Sequence, residues 1–438
     1  MAVLPNVCSA ILAFAKLQLI DARYKKNVSA HGRSAQRNYF CPKLKSLKKY
    51  LLLFFCITAL NTGQAQSPND STKYLLLDMA LQLQITDAID DMYNFDFHKA
   101  EVEFNWMRYN YPEHPLPYFL FGISTWWQMM PNLDKETPLG DEFLAYMDQA
   151  IEKAENMLDV NEDNMEAEFF LAGAYGFVGR YHSEKHNWGK ATNAGRLALK
   201  YLNEIRGNED FSPEILFGDG LFNYYSVYIK ETYPLLRPVL AFFPKGDKEL
   251  GIEQLEKVTT NAFYTRMEAI YFLMRIKAFD MNETFEALRL SEYIYEKYPN
   301  NPYFHRFYAR MLYSAGQYKE AAAVSQEILN RVVAKQTGYE EISGRYAAFF
   351  LAHDYRSSNN WPAAERYYQM VIDYTENIND SESGYYLYSQ LYLAEREIER
   401  AEYEPALERI DIIRDNTKRK ESLNERAREL KKEVRRKR

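Results

Sequence analysis

The sequence predicts an all-α fold, an irregular α-solenoid of stacked antiparallel helix pairs. Almost every segment after Ser71 carries apolar residues at helical spacing, and no strictly alternating run is long enough to build a sheet. A small residue also recurs wherever the second helix of a pair should begin. The 438 residues are 47% hydrophobic and 26% charged, with 36 Tyr and 26 Phe against 18 Gly and 16 Pro. This composition excludes a polytopic membrane protein, a collagen-like chain and, for most of its length, a disordered one.

The first 65 residues have the layout of a leader for export. Four lysines between residues 43 and 49 precede the apolar run Tyr50 to Leu60, and Gly63-Gln64-Ala65 places small residues where a signal peptidase cleaves. The apolar run is shorter than the roughly 20 residues of a transmembrane helix. We therefore expect a signal peptide over residues 43–65 and no stable membrane span after its cleavage. Residues 1–42 are expected to be disordered or to precede the true start, near Leu44 or Leu47.

Cysteine positions and charge extend this prediction to the compartment. Cys8, Cys41 and Cys56 all precede the cleavage point, so the exported product would have no disulfide and no cysteine metal site. Of the 54 basic and 61 acidic residues, 44 and 60 lie beyond Ala65, which gives a net charge of −16. We expect an acidic protein in the periplasm or cell envelope of a Gram-negative bacterium, with no nucleic-acid partner.

The clearest internal repeat begins at Pro302 and continues from Tyr303 to Ala321. It resembles a tetratricopeptide repeat, in which a helix pair spans 34 residues, because Ala309, Tyr318 and Ala321 match the small, aromatic and alanine positions of that pattern. The resemblance implies two helices that cross closely at small side chains. Eight small residues, 34 to 60 residues apart, each open the second helix of a predicted pair: Ala100, Ala150, Ala191, Gly251, Ala287, Ala321, Ala364 and Ala406. These intervals predict an irregular tetratricopeptide-like array over residues 66–416.

The stretch from Leu216 to Leu255 departs most from the repeat, and its prolines, Pro234, Pro238 and Pro244, preclude one continuous helix. It is similar to the middle of the eukaryotic tetratricopeptide-repeat protein 39 and inclusion-body clearance family. The matching residues are Gly220, Phe222, Asn223, Pro234, Phe243, Gly246, Asp247, Lys248, Glu249, Leu250 and Gly251. The resemblance implies a non-enzymatic helical-repeat protein, but the signal peptide means that the intracellular roles of that family do not carry over. Further along, Arg275 stands where the repeat requires a small residue.

Residues 417–438 are predicted to form a basic C-terminal capping helix. Glu425 with Arg428, and Glu429 with Lys432, place opposite charges three residues apart on one helix face. A polar terminal helix covers the open end of a solenoid and keeps the array soluble.

The predicted binding residues come from the geometry of such arrays, in which positions 2, 5, 9 and 12 of each first helix line the concave surface. In the best-defined repeat and the next one, these residues are Tyr303, Arg306, Arg310, Tyr313, Phe349, His353 and Arg356. Guanidinium groups form paired hydrogen bonds with carboxylates, and tyrosine adds rigid contact area. We expect this set to bind a protein or peptide partner, an anionic one being the best match. Alternatively, the arginines pair with neighbouring Glu or Asp.

Other functions stay open. Nearer the N-terminus the same positions predict either a hydrophobic binding wall or helix core; they are Leu116, Phe119, Ile123 and Trp126. Glycan or small-molecule binding in the groove is an alternative, because three tryptophans could stack on sugar rings: Trp126, Trp127 and Trp188. A second alternative is an enzyme without a recognisable motif, although no Gly-x-Ser-x-Gly or His-Glu-x-x-His motif is present. We expect no catalytic residue and no cofactor; the sequence does not predict the oligomeric state.

The interval between His182 and His186 suggests metal binding. Four residues apart, they could face one side of a helix as ligands, but no third ligand follows at a defined spacing. A solvated loop between two helices explains them better, so we expect no metal site. The predicted function is therefore a non-catalytic scaffold or adaptor.

Overall fold

The computed structural model describes residues 74–135, 137–232, 244–419 and 421–438, together with Pro234 and Arg237. These residues contain seventeen α-helices and no strand. The predicted signal peptide, the residues before it and the three cysteines lie outside the described residues, as does Phe243. None of the described helices combines the length and the hydropathy that crossing a membrane requires.

The described helices form eight pairs followed by a terminal helix. The first helices are α1 (Met79–Tyr93), α3 (Pro115–Met129), α5 (Met165–Glu184), α7 (Ile215–Thr232), α9 (Arg266–Arg275), α11 (Pro302–Ser314), α13 (Glu341–Ser357) and α15 (Gly384–Glu399). The second helices are α2 (Phe97–Asn110), α4 (Leu139–Val160), α6 (Trp188–Ile205), α8 (Lys248–Asn261), α10 (Thr284–Lys297), α12 (Tyr318–Val333), α14 (Trp361–Asn377) and α16 (Tyr403–Asp415). The terminal helix is α17 (Ser422–Lys437). Each first helix packs on its second helix, and along most of the array successive first helices also contact each other. The predicted all-α, solenoid-like fold is confirmed.

Small residues lie where the two helices of each pair cross, as the sequence predicts. The seven predicted alanines are completely buried, and Gly251 is buried as well. A Cβ atom on Gly251 would lie 2.6 Å from the Tyr224 nitrogen and 2.8 Å from the Gly220 oxygen. Because these are main-chain atoms that cannot turn away, α7 and α8 approach so closely only with glycine at this position.

Arg275 stands where the repeat requires a small residue, and the local structure differs from the repeat at this point. Arg275 ends α9, and a single π-helical turn, Ile276–Asp280, follows it. A π turn winds more residues into one turn than an α-helix does, so it displaces the crossing point of this pair relative to the sequence register. Arg275 is buried, and its Nη1 donates hydrogen bonds to Tyr271 Oη at 3.3 Å and Tyr303 Oη at 2.9 Å.

The Gly-Asp-Lys-Glu-Leu-Gly segment begins α8. The Asp247 carboxylate accepts hydrogen bonds from the main-chain nitrogens of Glu249 and Leu250, at 3.0 and 3.1 Å, and so caps the helix. A Cβ atom on Gly246 would lie 2.5 Å from the Asn223 oxygen, which explains glycine at that position. The preceding helix, α7, ends at Thr232, before the three prolines.

The first five pairs close into a ring, which the sequence does not predict. Helix α1 packs against the connection between α10 and α11, where Tyr298 Oη donates a hydrogen bond to Asp90 at 2.6 Å and Lys297 Nζ lies 2.9 Å from the same carboxylate oxygen. Asn301 Nδ2 also donates to the Tyr93 oxygen at 2.8 Å. In an ordinary solenoid each repeat contacts only its neighbours. Here the first and fifth pairs are joined directly.

Beyond the ring, the pairs from α11 to α16 continue as an array that ends in α17. Ala427, Leu430 and Val434 of α17 are buried in a small core with Ile410 and Ile413 of α16. The opposite face of α17 carries its exposed basic residues. This arrangement is that of a helix covering the last apolar surface of a solenoid.

Candidate binding site

The seven predicted binding residues lie on adjacent first helices. Four are on α11 and three are on α13. Arg306 and Phe349 are buried, at 8% and 5% exposure, whereas the other five are partly exposed. The structure therefore brings the set together on two first helices that contact each other, but it does not leave all of it accessible.

Arg306 is engaged by the protein itself. Its Nη1 donates a hydrogen bond to the Pro131 oxygen at 2.8 Å, so it ties α11 to the connection between α3 and α4. The Glu340 carboxylate is 4.0 Å away, and the guanidinium lies over the rings of Tyr303 and Tyr346. These contacts make Arg306 a buried structural link, so it is not the accessible binding residue that its sequence position predicts.

The surroundings of Arg310 and Arg356 differ from those of Arg306. The Arg310 guanidinium lies over the Phe279 ring, 4.5 Å from its centroid, and that of Arg356 lies 3.7 Å from the centroid of Tyr392. Within the part of the chain that the structure describes, neither guanidinium has a carboxylate oxygen within 4.0 Å. The alternative that arginines of this face pair with Glu or Asp therefore does not apply to these two. Stacking on a ring face leaves the N–H edges of a guanidinium free for polar contacts, and the Arg356 guanidinium already interacts with the Tyr368 hydroxyl.

Tyr313, Phe349 and His353 form the aromatic packing between these two arginines. Tyr313 stacks on Phe350 with ring centroids 4.7 Å apart and contacts His353 at 5.0 Å, while Phe349 lies 4.9 Å from Tyr385. Burial lowers the pKa of His353, and the positive charge of Arg356 lowers it further, against the opposing effect of Asp354. The imidazole is therefore neutral at neutral pH, and the positive charge of this surface comes from the arginines.

Several residues of this surface were not predicted from the sequence. Tyr346 and Tyr385 face Arg310, and Arg275 stands close enough to it to interact electrostatically. Applying the same positional rule to α15 would have found Tyr385 together with Tyr392. Arg275 could not be found in that way, because it occupies the small-residue position of the repeat, which is not one of the four positions of the rule. We name the set of Arg310, Arg356, Tyr346, Tyr385 and Tyr392 the arginine–tyrosine surface.

The N-terminal apolar set separates into two groups. Trp126 is completely buried and belongs to the core, whereas Leu116, Phe119 and Ile123 line a cavity of about 220 Å³ inside the ring. Trp127 is also completely buried, so neither of these indoles offers a face to a sugar. The third tryptophan predicted for sugar stacking, Trp188, is 40% exposed at the start of α6.

The two histidines considered as metal ligands do not share an environment. His182 is buried in the last turn of α5, where burial lowers its pKa, whereas His186 lies beyond the helix end with a positive φ of 56° and is exposed. The expected solvated loop is therefore wrong for His182. Among the described residues, no group of three or more His, Cys, Asp or Glu side chains is placed to hold a metal ion.

Comparison with known proteins identified no relative among the family models and curated proteins searched. No protein-family model matches the sequence, and no curated protein matches it significantly.

Proposed function

We propose that this chain is an exported, tetratricopeptide-like scaffold that binds an anionic peptide segment of a partner protein in the envelope of a Gram-negative bacterium, without catalysing a reaction. The observation that carries the proposal is the pair formed by Arg310 and Arg356. Both guanidiniums stack on aromatic rings and have no carboxylate within 4.0 Å among the described residues.

The arrangement suits a carboxylate-bearing ligand for a physical reason. An arginine held against a ring loses little side-chain freedom on binding, so more of the free energy of its hydrogen bonds is retained as affinity. Tyr346 and Tyr385 beside Arg310 add hydroxyl groups and rigid contact surface. Since the sequence beyond Ala65 has a net negative charge, two guanidiniums without a carboxylate within 4.0 Å among the described residues would also attract an anionic segment preferentially.

Other parts of the proposal rest on the sequence. Export is supported by the lysines and apolar run of residues 43–65, and the tetratricopeptide likeness by the pattern from Tyr303 to Ala321. Buried alanines at the helix crossings are compatible with that likeness. Non-catalytic function is supported by the absence of a known catalytic motif from the sequence.

The test compares two labelled peptides by fluorescence anisotropy, one with several glutamates and one in which glutamine replaces each glutamate. We expect the glutamate peptide to bind more tightly and its affinity to fall as salt is added. Arg310→Gln and Arg356→Gln should each weaken binding by about 10- to 150-fold, since a hydrogen bond to a charged group contributes about 1.5–3 kcal/mol.

Arg366→Gln serves as the matched control, because Arg366 also stacks on a tyrosine ring but lies exposed on a second helix. This variant should bind the glutamate peptide as the native chain does. Equal affinity for the two peptides, or undiminished binding by the Arg310→Gln, Arg356→Gln double variant, would reject the proposal. Affinity capture from envelope extracts, with the native chain and the double variant side by side, would then identify the partner.

A further inference from the structure

The cavity inside the ring is lined almost wholly by apolar side chains. Its walls come from the first helices α1, α3, α5, α7 and α9 and from α6, with phenylalanine and leucine prominent. Its volume of about 220 Å³ exceeds that of an engineered apolar cavity of about 150 Å³ that binds benzene. A cavity of this size and lining takes an apolar ligand larger than a single six-membered ring.

Two charged groups line the cavity where α5 faces α9, and its other polar residues include Tyr264 and Thr265, which precede α9. Glu268 and Arg180 are 4% and 5% exposed, and both line the cavity. Glu268 Oε1 accepts a hydrogen bond from Trp127 Nε1 at 2.9 Å, and Arg180 Nη2 donates one to Tyr271 Oη at 2.8 Å. In contrast, Glu268 Oε2 and Arg180 Nε are buried without a hydrogen-bond partner among the described residues. Buried polar atoms are nearly always paired. A polar group of a bound ligand, between or beside these two atoms, would supply the missing hydrogen-bond partners.

The opposite wall, formed by α6 and α7, connects the cavity to the surface. Leu199 and Leu221 line the cavity and are partly exposed, and Gly195 on α6 has no side chain to obstruct a passage, whereas the Leu202 side chain packs against Gly218. A chain-like ligand could therefore enter between α6 and α7 and extend towards α9.

We propose that this cavity binds one medium-chain fatty acid, with its alkyl chain against the apolar walls and its carboxyl group at Arg180 and Glu268. The Arg180 Nε–H donates to the ligand carboxylate, and Glu268 shares a hydrogen bond with it through Oε2. Burial raises the pKa of Glu268, against the opposing effect of Arg180, so that its carboxyl can carry the proton that this hydrogen bond requires. The site is distinct from the arginine–tyrosine surface, and it does not depend on the function proposed for that surface.

Gly176 offers a way to obstruct the cavity without disturbing its walls. It lies within α5 and lines the cavity, and a Cβ atom built on it meets no heavy atom within 4 Å. Because Gly176 is exposed, Gly176→Leu should fold and place its side chain at the open side of the cavity, where it obstructs the alkyl chain. Gly189→Leu is the matched control, because Gly189 lies on the neighbouring α6, does not line the cavity and is equally uncrowded.

The experiment is isothermal titration calorimetry of the full chain with decanoic acid and with decanol, which has the same alkyl chain but no carboxyl group. We expect the native chain and Gly189→Leu to bind decanoic acid alike, and Gly176→Leu to bind it at least tenfold more weakly. Decanoic acid should bind more tightly than decanol to the native chain, and Arg180→Gln should abolish that preference. If circular dichroism shows that Arg180→Gln does not fold, the binding of decanoic acid to Gly176→Leu tests the proposal instead. Absence of binding to the native chain, or undiminished binding to Gly176→Leu, would overturn the proposal.

Discussion

Tyr298 donates a hydrogen bond of 2.6 Å to Asp90, joining two residues that are 208 positions apart in the sequence. Lys297 contacts the same carboxylate, so α1 is fastened to the end of α10. In a linear solenoid, stability is a sum over neighbouring repeats. Closure adds an interface between the first and fifth pairs, and we expect these pairs to unfold together.

Asp90→Ala should therefore destabilise the ring. The substitution removes a hydrogen bond to a charged acceptor and leaves Tyr298 Oη without this partner, which costs about 1–3 kcal/mol. Urea-induced unfolding followed by circular dichroism measures the change. Asp87→Ala is the control, because Asp87 lies on the same helix but is exposed. If the two variants are equally stable, the contact between Asp90 and Tyr298 does not contribute to the free energy of unfolding.

The crossings within helix pairs were predictable from the sequence, whereas the closure of the first five pairs into a ring was not. A buried alanine such as Ala321 marks a contact within its own helix pair, at a spacing that recurs along the chain. Asp90 and Tyr298 carry no such signal, because polar residues near helix ends are common on every surface. Their proximity depends on the summed curvature of five pairs, which single positions do not reveal.

The crossing of α7 and α8 gives a second prediction. Gly251→Ala should destabilise the protein by about 1–3 kcal/mol, because its Cβ would press on main-chain atoms of Tyr224 and Gly220 and force the helices apart. Gly189→Ala should instead leave stability unchanged or raise it by up to about 1 kcal/mol, since its surroundings are open and alanine favours a helix. Thermal unfolding of both variants is the measurement. A Gly251→Ala protein as stable as the native chain would contradict the close crossing.

Glu184 predicts a pH dependence of stability. Burial raises the pKa of Glu184 to about 7, although Arg180 and Arg275 oppose the shift. Asp134 adds to the shift, and Lys185 opposes it. The folded state thus holds a proton that the unfolded state has already lost, and this contribution to stability falls as pH rises from about 4.5 to about 7.

Glu184→Gln removes that dependence. Relative to the native chain, the variant should gain on the order of 2–3 kcal/mol in its free energy of unfolding between pH 5 and pH 8. Urea-induced unfolding at the two pH values measures the gain. Glu162→Gln, at an exposed position before α5, should show no comparable gain. An identical pH dependence of the native chain and Glu184→Gln would refute the assignment.

The positions of the residues in the proposed binding surface were predictable in part. The positional rule for first helices located Arg310 and Arg356 correctly on adjacent helices, because it depends only on helical periodicity. It could not show that Arg306 reaches the Pro131 oxygen, since that contact joins segments 175 residues apart. Nor could it show the cavity, which exists only because the ring closes around it.

The pKa of His353 reports the charge of this surface directly. Arg356→Gln removes a neighbouring positive charge that opposes protonation of the imidazole, so the pKa of His353 should rise. It should stay below its ordinary value, because burial is the larger cause of the shift and persists in the variant. An NMR titration of the histidine ring signals measures the change, with His353→Gln identifying the resonance.

The same titration connects the electrostatics to the proposed ligand. Binding of the glutamate peptide at Arg356 would partly neutralise that arginine, and the pKa of His353 in the native chain should therefore rise on adding the peptide. Arg366→Gln should leave the His353 titration unchanged, since Arg366 stacks on Tyr367 on a second helix. If the peptide binds but does not move the pKa of His353, it binds elsewhere, and Arg356 is then not part of the binding surface.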